Sequence, residues 1–147
     1  MNIVRAKSGD YREISLLRHL AIQGVSSSEY SSVLLASNSP EGVLEELEEE
    51  TVFALIDGDK FVATVSLDGN QISGLYVHRD YSGKGIGKKL LNYIEGYCKK
   101  EGVGEVYLYS TKDSFPFYYK NGYQPVELAY SFNTKKPLVF IRMKKTL

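Results

Sequence analysis

Residues 82–88 read Ser82-Gly83-Lys84-Gly85-Ile86-Gly87-Lys88, and this glycine-rich stretch is the most informative part of the sequence. It joins a β-rich run, Gln71–Val77, to residues 85–100, the best amphipathic helix pattern of the chain. The first amide N–H groups of a helix have no partner within the helix, and the helix dipole adds partial positive charge there. Glycines let such a backbone approach an anion closely, so the stretch predicts a site for phosphate or pyrophosphate.

The two common nucleotide-binding motifs do not fit this stretch. A Walker A loop requires G-x-x-x-x-G-K-S/T, but His78 stands where its first glycine would fall. A Rossmann loop requires G-x-G-x-x-G, and its last position is Lys88 when counted from Gly83 and Leu90 when counted from Gly85. Until a further signal is considered, an ordinary glycine-rich helix start remains the alternative interpretation.

The rest of the chain alternates between strand and helix patterns. Residues 26–39 contain seven serines and are expected to form a mobile connection. Gly74 inside its strand predicts a bulge or a close backbone approach. Strands are predicted at 2–6, 52–56, 61–67, 71–77, 105–110, 123–132 and 138–144, and helices from about 10, from about 40, at 85–100 and at 114–121.

This order, β-α-α-β-β-β-α-β-α-β-β, contains both hairpins and a strand-helix-strand crossover. It predicts an α/β fold with a mixed, mostly antiparallel sheet of six to seven strands, flanked by four helices. The length of 147 residues and the absence of a linker pattern predict one domain over 1–147.

Composition excludes several classes of protein. Hydrophobic residues make up 43% and charged residues 24%, as in soluble globular proteins. Lys+Arg and Asp+Glu both number 18, and a formal net charge of zero argues against a nucleic-acid partner. No apolar run approaches the ~18 residues of a membrane span, and the first residues lack the apolar core of a secretion signal.

The single cysteine and the two histidines exclude or disfavour further kinds of site. Cys98 is the only cysteine, so an internal disulfide and a cysteine-based zinc site are excluded, and its place on the apolar helix face predicts core packing. The two histidines form no H-E-x-x-H motif, and no metal site is predicted. A reduced, cytoplasmic protein is the expectation.

The glycine-rich stretch and a second motif together resemble the GNAT N-acetyltransferases. The acetyl-CoA segment of that family, Q/R-x-x-G-x-G/A after a strand, is matched by residues 82–87, except that Ser82 replaces the usual arginine or glutamine. This departure removes one side-chain contact with the cofactor but keeps the backbone amides. An aromatic pair before a helix-ending glycine, the second signature, appears in residues 117–123. The predicted order of elements is also similar to the GNAT fold over essentially the whole chain.

The resemblance implies acetyl-CoA as cofactor and CoA as product. In that family two neighbouring strands splay apart and the pantetheine arm lies between them; here these strands would be 71–77 and 105–110. The backbone groups of Leu75, Tyr76 and Val77 would then pair with the pantetheine, and residues 83–88 would hold the pyrophosphate. The implied cofactor-binding residues are Leu75, Tyr76, Val77, Ser82, Gly83, Lys84, Gly85, Ile86, Gly87, Lys88, Ser110 and Tyr118.

The implied reaction is direct attack of an amine on a thioester, which needs no nucleophilic serine or cysteine. Tyr118, which matches the aromatic motif, is the candidate acid for the departing thiolate, since an unperturbed phenol has a pKa near ~10. Tyr119 is its rival, one position away, and a packing aromatic is the alternative role for Tyr118.

The proton acceptor is not evident from the sequence. Strand 71–77 contains no carboxylate, so solvent or a water chain, through Ser73 or a strand carbonyl, is the favoured interpretation. Asp68 and Glu29 are remote alternatives. His78 is expected on a solvated loop.

The acceptor substrate is predicted only as a class. In the family it is selected by the first two helices, their connection and the last two strands, and the acidic second helix would suit a cationic amine such as a polyamine, an aminoglycoside or a lysine side chain. A solvated helix face is the favoured interpretation of those glutamates. A non-catalytic acyl-CoA-binding module, and an O-acyl or longer-chain acyltransferase, remain alternatives. The oligomeric state stays open, a homodimer included.

Overall fold

The computed structural model describes residues 1–25, 28–131 and 137–147. In this part of the chain we find seven strands and five α-helices, with short 3-10 turns at Ser8–Asp10 and Arg79–Tyr81. The elements are β1 Asn2–Arg5, α1 Tyr11–Val25, α2 Ser28–Ser37, α3 Pro40–Glu49, β2 Thr51–Asp57, β3 Lys60–Asp68, β4 Gln71–Val77, α4 Ile86–Lys100, β5 Glu105–Ser110, α5 Phe115–Lys120, β6 Gln124–Ser131 and β7 Leu138–Thr146.

The strands form one sheet in the order β1-β2-β3-β4-β5-β7-β6. All neighbours are antiparallel except β4 and β5, which are parallel. The predicted mixed, mostly antiparallel α/β fold is therefore confirmed, with seven strands. β4 and β5 are joined in register only at Gln71 and Tyr107 and diverge beyond that pair, which opens a gap in the middle of the sheet.

The sheet separates two hydrophobic cores, because side chains of a strand alternate between its faces. Phe53 and Leu55 of β2 belong to the larger core, which also contains the buried face of α4. Val52 and Ala54 belong to a smaller core with Ile14 of α1. α1 and α3 thus lie on one face of the sheet and α4 on the other, and Cys98 is buried in the larger core as predicted.

The irregularity predicted at Gly74 is a β-bulge. Ser66 pairs with Gly74 and the next residue of β3, Leu67, pairs with Ile72, so that Ser73 is the extra residue in β4. A side chain at Gly74 would have its Cβ only 2.9 Å from the ring of Tyr76, so the bulge and the ring share one small space.

The mobile connection predicted for residues 26–39 is wrong over most of its length, because Ser28–Ser37 forms α2. Tyr30 explains this: its side chain is fully buried, its hydroxyl donates to the Val139 carbonyl at 2.7 Å, and its ring meets Phe140 edge-on. Burial of an aromatic ring outweighs the low helix propensity of the serines. The helices therefore number five in the described chain rather than four. Ser26, Ser27 and residues 132–136 lie outside the described residues, and with the latter go the end of the strand predicted at 123–132 and most of the connection predicted at 133–137.

Candidate active site

A cavity of about 410 Å³ occupies the gap between β4 and β5. Ala21 of α1 and Leu34 of α2 line it from one face of the sheet, and Gly87 of α4 and Tyr118 of α5 line it from the other. The cavity therefore passes through the sheet and has two halves, which we call the α1/α2 half and the α4/α5 half. Such a cavity can bring two ligands together from opposite sides.

The glycine-rich stretch forms the mouth of the α4/α5 half. Gly83 and Gly85 both have φ of 76°, a left-handed conformation that favours glycine. The first hydrogen bond that returns to the start of α4 runs from the Lys89 N–H to the Gly85 carbonyl at 3.1 Å. The three preceding amides, at residues 86–88, have no acceptor within the helix, and together with the dipole of α4 they can hold a phosphate group.

The side chains of this stretch differ in their surroundings. Ser82, Lys84 and Lys88 are exposed at the cavity mouth, and Ser82 lines the cavity itself. The Lys84 ammonium lies 5.3 Å from the ring of Tyr81. Ile86 is buried in the larger core, so only its backbone could meet a ligand.

Gly87, in the first turn of α4, lines the cavity. A Cβ placed there would lie 3.3 Å from the Phe117 ring and 3.8 Å from Val77. A glycine at this position keeps open the passage from the free amides of α4 to the gap between the strands.

The edge of β4 borders the whole length of the gap. Leu75, Tyr76 and Val77 pair with β3 on one side, whereas register pairing with β5 ends at Gln71 on the other. Backbone groups of β4 beyond Gln71 can therefore accept an extended ligand that adds to the strand, as peptides add to sheet edges. All three residues line the cavity.

Tyr118 reaches the cavity and Tyr119 does not. The Tyr118 ring contacts Phe117 and Tyr123 edge-on, with centroids 5.2 and 5.7 Å apart, and its side chain is 8% exposed. Within the described chain its hydroxyl has no hydrogen-bond partner, and burial raises the pKa of this phenol, with a smaller contribution from Tyr76. Tyr119 is 54% exposed and stacks on Phe115. The phenol facing the cavity is thus protonated at neutral pH and free to donate.

Ser110 ends β5 with an unusual hydroxyl. The residue is 1% exposed, and its Oγ has no hydrogen-bond partner within the described residues. Its neighbours Tyr109 and Thr111 both line the cavity, but Ser110 itself does not. Buried hydroxyls without a partner are rare, so this one is a candidate contact for a ligand.

Glu50 is a candidate site residue that the sequence alone did not indicate. It follows α3, and its Oε1 accepts a hydrogen bond of 2.5 Å from Oγ of Ser73, the bulged residue of β4 that lines the cavity. Burial raises the pKa of the Glu50 carboxyl, the Ser73 hydrogen bond opposes this, and the nearby Glu46 and Asp68 raise it further. β4 has no carboxylate of its own, but the fold brings one to it from 23 residues away. The two predicted hairpins could have indicated this contact. In the β2–β3 and β3–β4 pairings, residues 51 and 72 share the partner Leu67, so their neighbours Glu50 and Ser73 come close together.

A buried arginine fixes the wall behind Tyr76, and the sequence analysis did not single it out. Arg18 of α1 is fully buried, and its guanidinium carbon lies 5.0 Å from the centre of the Tyr76 ring. Asn38 donates a hydrogen bond of 3.0 Å to the Tyr76 hydroxyl. The guanidinium donates to side-chain oxygens of Asn38, Glu46, Thr64 and Ser66. All three guanidinium nitrogens of Arg18 and the hydroxyl of Tyr76 are hydrogen-bonded, and this network holds Tyr76 in place beside the gap.

Three other expectations come out differently from one another. His78 was expected on a solvated loop, but it is buried, because its Nδ1 accepts the Asp80 N–H at 3.1 Å and caps a short turn. Asp68 and Glu29 do not line the cavity, and Glu29 forms an exposed ion pair with Lys112 at 3.5 Å. Most of the acidic face of α3 is solvated as predicted, at Glu41, Glu45, Glu48 and Glu49.

Two negative findings concern the described residues, 1–25, 28–131 and 137–147. They contain no group of three or more His, Cys, Asp or Glu side chains that could hold a metal ion. Nor does any of their helices combine the length and the apolar character that crossing a bilayer would demand.

With this geometry established, comparison with known proteins gives the family. The sequence profile of the acetyltransferase (GNAT) domain matches residues 18–147, and the chain belongs to this family. Its fold is similar to a crystal structure described as a GCN5-related N-acetyltransferase (aminotransferase, class II) from Rhodopseudomonas palustris, with a TM-score of 0.91 and 20% identity over 99% of this chain and 95% of that one.

Two further structures are similar to this chain. The PaiA N-acetyltransferase of Thermoplasma acidophilum, solved in complex with coenzyme A, has a TM-score of 0.78 and 24% identity with all of both chains covered. An aminoglycoside 6′-acetyltransferase type Ii has a TM-score of 0.76 and 25% identity, covering 99% of this chain and 97% of that one.

A curated relative is similar over a shorter stretch. The tRNA(Met) cytidine acetyltransferase TmcA of Aeropyrum pernix is 31% identical over 64 residues, which is 43% of this chain. The matched stretch spans only 9% of the length of that relative.

Proposed function

We propose that this protein is an acetyl-CoA-dependent N-acetyltransferase that moves an acetyl group directly to the primary amine of a small molecule or peptide. The observation that carries the proposal is the cavity that passes through the split sheet, with the free amides of α4 at one mouth. Membership of the GNAT family supports acetyl transfer, and a similar structure was solved with coenzyme A.

The α4/α5 half of the cavity is assigned to acetyl-CoA. The amides of residues 86–88 and the Gly83–Gly85 backbone would hold the diphosphate, with Lys84 and Lys88 supplying positive charge. Leu75, Tyr76 and Val77 would pair with the pantetheine amides through their backbone. Ser110 would give its unpartnered hydroxyl to the same ligand. When bound, acetyl-CoA supplies an activated acyl carbon with a thiolate leaving group.

Tyr118 is assigned the role of general acid. Its hydroxyl lies at the cavity without a partner among the described residues, and burial keeps it protonated at neutral pH by raising its pKa above the value expected for a free phenol. Because this phenol is a weaker acid than a thiol, its proton can pass to the sulfur only in concert with return of a proton from the amine to the phenol oxygen. Phe117 and Tyr123 hold the ring, so that the donor needs little reorganisation.

Ser73 and Glu50 are assigned the role of proton acceptor for the amine. An amine arrives as an ammonium ion and must lose a proton before it attacks. The Ser73 hydroxyl can take that proton as it passes its own to the Glu50 carboxylate, along the hydrogen bond already present. The C–N bond then forms as the C–S bond breaks; Tyr118 protonates the sulfur, and the second proton of the nitrogen restores the phenol.

Two other functions would use the same fold. A non-catalytic acyl-CoA-binding module would bind CoA without turnover, and an O-acyltransferase or a longer-chain acyltransferase would act on alcohols or on longer thioesters. The through-going cavity, with a proton donor and a proton acceptor in its walls, favours the enzyme over the binding module.

An amine-panel assay tests the proposal. Acetyl-CoA is incubated with the protein and with each primary amine in turn, and release of free thiol is followed. We expect thiol release that depends on one or more amines and exceeds the slow hydrolysis seen without acceptor. Tight CoA binding with no acceptor-dependent release would contradict the proposal and favour the binding module.

A further inference from the structure

The α1/α2 half of the cavity has walls that are almost free of charge. Its side chains come from α1, α2, β5 and β7 and are apolar or aromatic: Ala21, Ile22, Leu34, Tyr109 and Phe140. In the whole cavity, Asp113 is the one lining residue of the described chain with a formal charge, and it lies in the loop between β5 and α5.

The carboxylates near the α1/α2 half are already neutralised by cations of the protein. Glu46 accepts from the buried Arg18 at 2.7 Å, and Glu29 pairs with Lys112 at 3.5 Å. On β7, Arg142 is 3.9 Å from Glu127, and its guanidinium lies over the Tyr107 ring at 4.7 Å. Arg142 and Glu127 together therefore add no net charge near Tyr107, whose ring meets that of Tyr109.

Glu50 is different, because its hydrogen-bond partner is the neutral hydroxyl of Ser73. The groups whose charges act on it are Glu46, Asp68 and Arg18, two acids and one base. One negative charge is therefore available to one incoming ammonium ion, at the bulge of β4.

From these observations we propose that the acceptor is a primary monoamine with an apolar or aromatic body, and not a polyamine or an aminoglycoside. This inference rests on the proposed function. The single ammonium would lie at Ser73 and Glu50, and the carbon skeleton against Ile22, Leu34 and Phe140. A second ammonium would lose its hydration against the apolar walls, and the described side chains of α1, α2 and β7 that line the cavity include no carboxylate to replace the lost water.

A matched pair of amines isolates the effect of the second charge. Hexylamine and hexane-1,6-diamine share a chain of six carbons. The sixth carbon is a methyl group in hexylamine, whereas in the diamine it carries an ammonium. We expect kcat/KM for hexylamine to be higher by roughly 10²-fold, the scale on which a pocket discriminates by polarity. We also expect 2-phenylethylamine to exceed ethylamine by about as much, because the walls are apolar.

A substitution in the wall should reverse the preference. Leu34→Glu places a carboxylate in the α1/α2 half at a half-buried position, and the ratio of diamine to monoamine efficiency should rise about tenfold. Leu16→Glu is the matched control: it adds the same charge on α1 at a position 63% exposed and should leave the ratio unchanged.

The outcomes separate the two proposals. If hexane-1,6-diamine is acetylated as efficiently as hexylamine by the unaltered protein, the inference is overturned while the acetyltransferase assignment stands. If CoA binds and no amine of any kind is turned over, the proposed function fails, and the inference fails with it. The comparison on the unaltered protein decides the matter even if Leu34→Glu does not fold.

Discussion

Tyr118 and Glu50 lie towards opposite faces of the sheet, and each is suited to one half of the proton chemistry. Tyr118 keeps its proton because burial raises its pKa, whereas Glu50 has a carboxylate already bonded to a hydroxyl at the cavity wall. The sequence motif indicated Tyr118, but the aromatic run alone did not distinguish it from Tyr119. Consecutive helical residues point about 100° apart, and the structure turns Tyr118 inward.

Removal of the Tyr118 hydroxyl should slow the chemical step. We expect Tyr118→Phe to lower kcat by roughly 10²–10⁴-fold, the usual range for a lost general acid, with little change in KM for acetyl-CoA because the ring remains. Steady-state kinetics measure this, and a thermal melt checks that the variant folds. Tyr119→Phe is the control and should be nearly silent, since that side chain is exposed. Wild-type turnover by Tyr118→Phe would transfer the role to solvent.

Glu50 should determine the acidic side of the pH profile. The proposed relay needs the carboxylate ionised, so kcat/KM should fall as pH falls through the Glu50 pKa, which burial raises above its usual value. Glu50→Gln should lower kcat/KM by roughly 10²-fold and remove that limb of the profile. Glu49→Gln, an exposed neighbour on α3, should keep both rate and profile. An unchanged acidic limb in Glu50→Gln would exclude Glu50 as the proton acceptor.

The start of α4 and the gap between β4 and β5 together form the α4/α5 half of the cavity. The strands pair once and diverge, and the helix that follows β4 directs its free amides at the opening. The close approach of Gly87 to Phe117 joins these elements to α5. A glycine-rich stretch that fits no common nucleotide motif therefore still offers free amides to the phosphate-bearing ligand that we propose.

A carboxylate at the start of α4 should therefore block the ligand. We expect Gly87→Glu to abolish CoA binding in a titration calorimeter, because the new side chain brings bulk and negative charge to the place assigned to the diphosphate. Gly96→Glu makes the same change further along α4, where an added Cβ meets nothing within 4 Å, and should bind CoA normally. Normal CoA affinity in Gly87→Glu would mean that the phosphate site is elsewhere.

Most elements could be predicted from the sequence because their signals are local. The strand-like sequence patterns predicted β4 and β5 with their observed bounds. The regular stripe of apolar residues predicted α4 to within one residue. α2 was missed because its serines suggest a loop, and only Tyr30, buried against β7, makes a helix favourable there. Glu50 and Arg18 were missed because their partners lie 20 or more residues away, and such pairs become visible only when the sheet register is known.

The cavity through the sheet favours direct transfer of the acetyl group between two ligands that meet inside it. Cys98 is poorly suited to accept an acetyl group covalently, since it is fully buried in the larger core and burial raises the pKa of its thiol. In the proposed mechanism, Tyr118 and Ser73 move protons and do not carry the acyl group. The route from acetyl-CoA to the amine should therefore contain no acetylated protein.

A single-turnover experiment followed by mass spectrometry tests this most directly. The protein is mixed with a stoichiometric amount of acetyl-CoA and an excess of hexylamine, then quenched at intervals, and the amine and the intact protein are both weighed. We predict that acetylated hexylamine accumulates in step with free CoA, while the protein keeps its unmodified mass at every interval. An acetylated protein that forms and decays on the reaction pathway, or acetyl-CoA that stays intact beside the amine, would contradict direct transfer.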